Sequence, residues 1–129
     1  MAVSPEYKEF IKELFEPFGP VNVKRMFGGA GIFVPLPEAD LMIGLIADET
    51  VYLKVDDGNR ADYEAEGKGP FTYGDPKTPR EMAYYELPEW LYEDSEALAD
   101  WARKALDVAL RANAKNPKKR KKKRAKSKA

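Results

Sequence analysis

The chain contains no cysteine and no histidine among its 129 residues. Without cysteine it has neither a disulfide nor a thiolate nucleophile. Without histidine it lacks the side chain that most often serves as a general base and as a transition-metal ligand. The remaining sequence holds no recognisable nucleophile–base pair or acid–base dyad. We therefore expect a protein that is not an enzyme and that uses neither a cofactor nor a metal ion.

Long hydrophobic runs are also missing. No window approaches the roughly 18 uninterrupted apolar residues that predict a membrane span, and the first residues lack the basic start and apolar segment of a signal peptide. The apolar fraction is 43%, which is enough for one hydrophobic core in a chain of this length. These features predict a cytoplasmic protein with no membrane contact.

Charge is present in both signs but is unevenly distributed. Residues 115–129 carry ten lysines or arginines and no acid, whereas residues 1–114 carry 12 basic and 22 acidic residues, a net charge of −10. A segment of such low complexity and high charge does not bury a core. We predict a folded acidic domain over 1–114 and a disordered Lys/Arg-rich tail over 115–129.

The tail is a candidate for non-specific contact with nucleic acid, because lysine and arginine neutralise phosphates. Two alternatives are that it keeps the protein soluble or folds back on the acidic domain. The candidate nucleic-acid contacts are Lys118, Lys119, Arg120, Lys121, Lys122, Lys123 and Arg124.

The sequence pattern of the domain predicts a helix, then a sheet, then a second long helix. Ser4, Pro5 and Glu6 are typical of a helix start, and apolar residues follow at helical spacing as far as Gly19. Asn59 begins a short helix, and Asp94 or Ser95 begins the last one. Between them the pattern predicts five strands, over 31–34, 41–47, 50–55, 70–73 and 82–86. We predict an α+β fold of two layers, in which helices cover one face of a five-stranded antiparallel sheet.

A glycine-rich motif connects the first helix to the sheet. It comprises Met26, Phe27, Gly28, Gly29 and Gly31. Glycine is unfavourable within a strand unless the backbone bends through a bulge or another element packs too closely for a Cβ, and we expect both here. A phosphate-binding loop is the weaker interpretation, because such loops open a helix whereas this one leads into a strand.

Two cations precede that motif. Lys24 and Arg25 are candidate contacts for an anion or a partner protein. The alternative is that they are solvated edge charges or form surface ion pairs, which stabilise a protein by only about 0–1 kcal/mol.

Six aromatic residues in the second half of the chain are candidates for stacking on nucleotide bases. We favour core packing, because the negative domain repels phosphates. The set is Tyr73, Tyr84, Tyr85, Trp90, Tyr92 and Trp101.

The run RMFGGAGIF resembles the signature of the N-terminal domain of the TfoX (Sxy) family of competence regulators. Four further pieces agree in order and spacing, namely VYLKVDD at 51–57, GKGPFTYGD at 67–75, MAYYELPEWL at 82–91, and a helix carrying Trp101. The resemblance covers about residues 7–112, and the family more often has tyrosine at the position of Ala30.

The resemblance has implications for both structure and function. It implies a fold like that of secretion chaperones and a non-enzymatic regulatory or adaptor role. Regulators of this family act with the cyclic-AMP receptor protein in transcriptional activation, so it also implies a transcription-machinery protein as partner. The sheet face that the helices leave open suggests a homodimer.

Overall fold

The structure is a computed structural model that describes residues 4–26, 29–74 and 77–114. The predicted tail, including residues 118–124, lies outside the described residues. The elements in chain order are α1 (Pro5–Leu14), β1 (Asn22–Met26), β2 (Gly29–Val34), β3 (Leu41–Ala47), β4 (Thr50–Lys54), α2 (Arg60–Ala65), β5 (Pro70–Tyr73), β6 (Arg80–Glu86), a short 3₁₀ helix (Glu89–Glu93) and α3 (Ser95–Ala114). Within these ranges no helix combines the length and the apolar character that crossing a membrane requires.

The strands form one open antiparallel sheet of six strands in the order β1-β2-β3-β4-β6-β5. The α+β class and the antiparallel sheet are confirmed, but the prediction of five strands is wrong, because β1 was not recognised. Its sequence carries two adjacent charges, Lys24 and Arg25, and looks like a connection. Charged side chains are nevertheless common on strands at the edge of a sheet, and β1 lies at one edge.

Side chains that pair across antiparallel strands point to the same face. Ala30, Ile46 and Val51 pair in this way and are fully buried. Against that face pack the apolar residues of α1 and α3, which share one core cluster with the strands. Gly31, Leu45 and Tyr52 form the adjacent row of pairs and therefore point to the opposite side, here called the outer face.

The helix starts follow from local capping. The Ser4 hydroxyl accepts a hydrogen bond from the backbone N–H of Tyr7 at 3.1 Å, and Asp94 Oδ1 accepts one from Ala97 at 3.0 Å. Asn59 precedes α2 but makes no cap. Its side chain instead bonds the Asp56 N–H and the Lys54 carbonyl oxygen, which closes the bend after β4.

The turn between β3 and β4 is two residues long. Asp48 and Glu49 both have positive φ, at 51° and 58°, as a type I′ hairpin turn requires. Side chains other than glycine, asparagine and aspartate rarely adopt this conformation. The Tyr7 hydroxyl donates a hydrogen bond of 2.8 Å to the Glu49 carbonyl oxygen, so α1 contacts the turn directly.

The glycine-rich motif spans the end of β1 and the start of β2. A Cβ on Gly29 would lie 2.1 Å from the carbonyl oxygen of Ile46, and one on Gly31 would lie 2.7 Å from the Phe33 ring. Close packing against backbone therefore accounts for Gly29, whereas the neighbours of Gly31 are the Phe33 ring and the Met26 sulfur, which are ends of side chains. The bulge is displaced from the motif, to the β2–β3 pairing between Ile32 and Phe33. Phe27 and Gly28 lie outside the described residues.

We predict that Gly29→Ala lowers the free energy of unfolding by about 1–3 kcal/mol. The new methyl group overlaps the Ile46 backbone, which cannot move aside by changing a rotamer as a side chain can. Urea denaturation measures this change. Gly69→Ala is the matched control, since a Cβ there meets no atom within 4 Å, and it should change stability by less than about 0.5 kcal/mol. Equal midpoints for the two variants would contradict the close-packing account.

Candidate functional site

The outer face of the sheet carries a groove of about 720 Å³. Its walls come from the end of β1, the start of β2, and from β3, β5 and β6. The side chains that characterise it are Met26, Met42, Leu45, Phe71, Tyr73 and Met82. Most of its lining is therefore apolar.

Strand register explains why these residues meet. Met26 pairs with Gly29, and Met42 pairs with Phe33, so both share the outer face with Gly31. The Phe71 ring contacts the Tyr52 ring edge-on with centroids 5.1 Å apart, which places the Phe71 side chain on the same face. Tyr73 is 46% exposed at the rim.

Methionine gives this groove its chemical character. Three of the four methionines in the chain line it. Methionine has three rotatable bonds and a polarisable sulfur, and it is common on surfaces that accept varied apolar partners. The groove therefore suits apolar side chains of a protein partner better than a phosphate or a sugar.

Lys24 and Arg25 lie on β1 but do not form a joint site. Adjacent strand residues point to opposite faces. Lys24 forms an ion pair with Asp40 at 2.7 Å, and its ammonium lies 5.0 Å from the centroid of the Phe33 ring. The hydrogen bond from Lys24 lowers the pKa of the Asp40 carboxyl. Arg25 is exposed and has no ion-pair partner within the described part of the chain.

A second cavity of about 250 Å³ lies between the end of α3 and the strands. Lys54, Tyr84 and Asn113 are its polar residues. The Lys54 ammonium lies 4.8 Å from the Tyr84 ring centroid and 3.4 Å from the Tyr84 hydroxyl, and burial raises the pKa of Tyr84 to about 12. The hydroxyl therefore stays protonated at neutral pH and acts as a hydrogen-bonding group rather than as a base.

A third hollow, of about 570 Å³, lies beside the start of α3 and is lined by Asp94, Glu96, Asp100 and Arg103. Arg103 forms an ion pair with Asp100 at 2.6 Å. This hollow is open and charged, and its aspartates serve the helix start and that ion pair.

The acidic pair after β4 has structural partners. Arg111 binds Asp56 with two hydrogen bonds, both of 2.9 Å, and Asp57 bonds Arg60. The first contact joins the end of α3 to the bend after β4. Among the described residues, no three carboxylates gather closely enough to hold a metal ion.

The aromatic set mostly packs against the core, as the sequence suggested. Tyr84 is buried, Tyr85, Tyr92 and Trp101 pack on the core cluster, and Trp90 is 44% exposed. Trp101 stands edge-on to Tyr63 with ring centroids 4.8 Å apart. These rings do not form an open stacking platform for bases.

The sequence identified only part of this site. Met26 and Gly29 belong to both the predicted motif and the groove, whereas Met42 and Met82 were not proposed as site residues. Alternation in β6 could have identified Met82, because it places Met82 and Tyr84 on the face opposite Ala83 and Tyr85. Only the register shows that this face meets Met26 and Met42.

Comparison with known proteins gives one match and one negative result. No protein among the curated sequences matches the chain. The family model described as the TfoX N-terminal domain matches residues 13–109, which include every strand and most of α3. The chain therefore belongs to the TfoX N-terminal domain family.

Proposed function

We propose that this protein is a non-enzymatic adaptor in transcriptional regulation, which acts by binding a protein of the transcription machinery. Membership of a family named after competence regulators supports the regulatory part of this proposal. The observation that carries the binding part is the methionine-lined groove on the outer face. We also propose that the fold is a two-layer arrangement like that of secretion chaperones.

The groove has the features of a protein-binding surface. Its lining includes the apolar side chains of Leu45 and Met42 and an exposed aromatic, Tyr73. Aromatic residues and methionine are enriched where proteins contact one another. A second copy of the chain is one occupant that this surface would accept, and we propose the homodimer at this face as the alternative to a heterologous partner.

We predict that Met82→Asp abolishes capture of transcription proteins from cell lysate by the immobilised chain, because a carboxylate placed in an apolar contact loses its hydration. Mass spectrometry identifies what is captured. Leu110→Asp is the control, since Leu110 is an apolar residue of α3 that is 44% exposed outside the groove, and it should capture as wild type does.

Sedimentation velocity of the same variants separates the two occupants. A dimer that Met82→Asp dissociates, together with no transcription protein captured, would replace the heterologous partner by a second copy. Capture of transcription proteins that Met82→Asp leaves intact would refute the groove as the binding surface.

A second candidate function rests on the charge asymmetry of the chain. We propose that the tail, with ten cations in residues 115–129 and none of the 22 acids, binds nucleic acid without sequence preference. The negative domain opposes this binding and competes for the tail, so the affinity should be weak at physiological salt.

We predict a slope of log affinity against log salt of about −4.5 on duplex DNA, as expected for about five phosphate contacts. The measurement compares the full chain with a chain ending at Ala114 and with a full-length variant in which residues 118–124 are all glutamine. Both altered chains should lose binding. If the truncated chain binds equally well, the folded domain holds the nucleic-acid site, and if none binds at low salt, this second function is refuted.

A further inference from the structure

The sheet ends in two edges of different character. At one edge β5 is only four residues long, begins with Pro70 and carries no charged side chain. Proline has no N–H to donate to another strand. At the other edge β1 has five residues with no proline, and its centre is Lys24-Arg25. In the described part of the chain, β1 pairs with β2 alone.

The two cations flank this edge on both sides. Lys24 pairs across the sheet with Gly31 and therefore lies on the outer face, whereas Arg25 pairs with Ala30 and points to the helix side. A neighbouring strand would lie about 4.8 Å from β1. Side chains of that strand would have Lys24 on one face of the sheet and Arg25 on the other.

The charges at this edge, and not the net charge of −10 over residues 1–114, decide what the edge accepts. Two copies of β1 paired with each other would bring four cations together, and like charges that face across strands destabilise pairing. A phosphate group needs cations that converge on it, whereas Lys24 and Arg25 point to opposite faces of the sheet. An extended peptide with two consecutive acidic residues can pair with both cations, because its consecutive side chains also point to opposite faces.

Lys24 already has a partner, but that ion pair is no obstacle. The Lys24 side chain is 55% exposed in its contact with Asp40, and exposed ion pairs contribute little to stability. Arg25 has no such partner to lose within the described residues. The last residue of β1 is Met26, which also lines the groove. A peptide bound along this edge therefore extends towards the groove.

We propose that β1 is a docking edge for an acidic, extended segment of a partner protein, which joins the sheet as a seventh strand beside β1. Backbone hydrogen bonds supply affinity in this mode of recognition, and side chains supply selectivity. Here the selectivity is for paired carboxylates opposite Lys24 and Arg25, followed by an apolar residue towards Met26. This inference rests on the proposed adaptor function, since it describes how such a partner would be recognised.

The test uses the full chain and a labelled octapeptide with two central glutamates flanked by valine and threonine. Fluorescence anisotropy should show binding that weakens about tenfold when both glutamates become glutamine. Arg25→Glu should weaken binding of the glutamate peptide by at least the same factor. Arg80→Glu is the matched control, because Arg80 is an exposed arginine at the β5–β6 end of the sheet, and it should leave the affinity within twofold.

Two further measurements separate strand addition from simple charge attraction. Peptides with N-methyl groups on alternate residues keep their charge, and one of the two methylation patterns should abolish binding, because it removes the N–H groups that face β1. Amide NMR shifts should change along residues 22–26. Binding that tolerates both patterns, equal losses in Arg25→Glu and Arg80→Glu, or shifts confined to β3 and β6 would each overturn the proposal.

These outcomes are distinct from failure of the adaptor function. If the peptide does not bind while capture of transcription proteins remains sensitive to Met82→Asp, the edge proposal is wrong and the adaptor proposal stands. If the peptide binds at β1 but no transcription protein is captured, the docking edge stands and the regulatory role is refuted.

Discussion

The close approach of β2 to β3 at Gly29 is the constraint on which the rest of the sheet depends. The Ile46 carbonyl occupies the space where any larger residue at position 29 would place its Cβ. That approach aligns Ala30 with Ile46 for burial under the helices and aligns Gly31 with Leu45 on the outer face. It also places the β1–β2 hairpin, and with it Met26 and the two cations. The close packing at Gly29 in the glycine-rich motif thus determines the shape of the groove on the outer face.

Much of the fold was predictable because its signals are local. The apolar run 41–47 and the pattern 70–73 became strands with those same bounds, and Ser4 caps α1 as its position suggested. The sequence does not predict β1, because an edge strand needs little apolar surface. Lys24 and Arg25 make the segment look unlike a strand, yet charged side chains of this kind are common on edge strands. The displaced bulge at Ile32 and Phe33 depends on the pairing of two strands and has no signal within either.

The groove was harder to predict than the fold. It brings together residues from five strands that are separated by as many as 56 positions, from Met26 to Met82. Alternation assigns each residue to a face, but a groove needs the strand order as well, and the order places β6 between β4 and β5. Lys24 and Arg25 show the converse. They are neighbours in sequence and were considered together, yet the strand directs them to opposite sides.

The contact between α1 and the β3–β4 turn links the beginning of the domain to its central hairpin. Glu49 holds a left-handed conformation that its side chain disfavours, and the Tyr7 hydroxyl donates a hydrogen bond to the Glu49 carbonyl oxygen within that turn. Burial raises the pKa of Tyr7 to about 12, with smaller contributions from Tyr92 and Glu49, so the hydroxyl remains a donor at physiological pH. Local opening of α1 removes this contact and frees a turn that is unfavourable by itself. The first helix and the central hairpin should therefore open together, as one cooperative unit of the native state rather than as a fraying terminus.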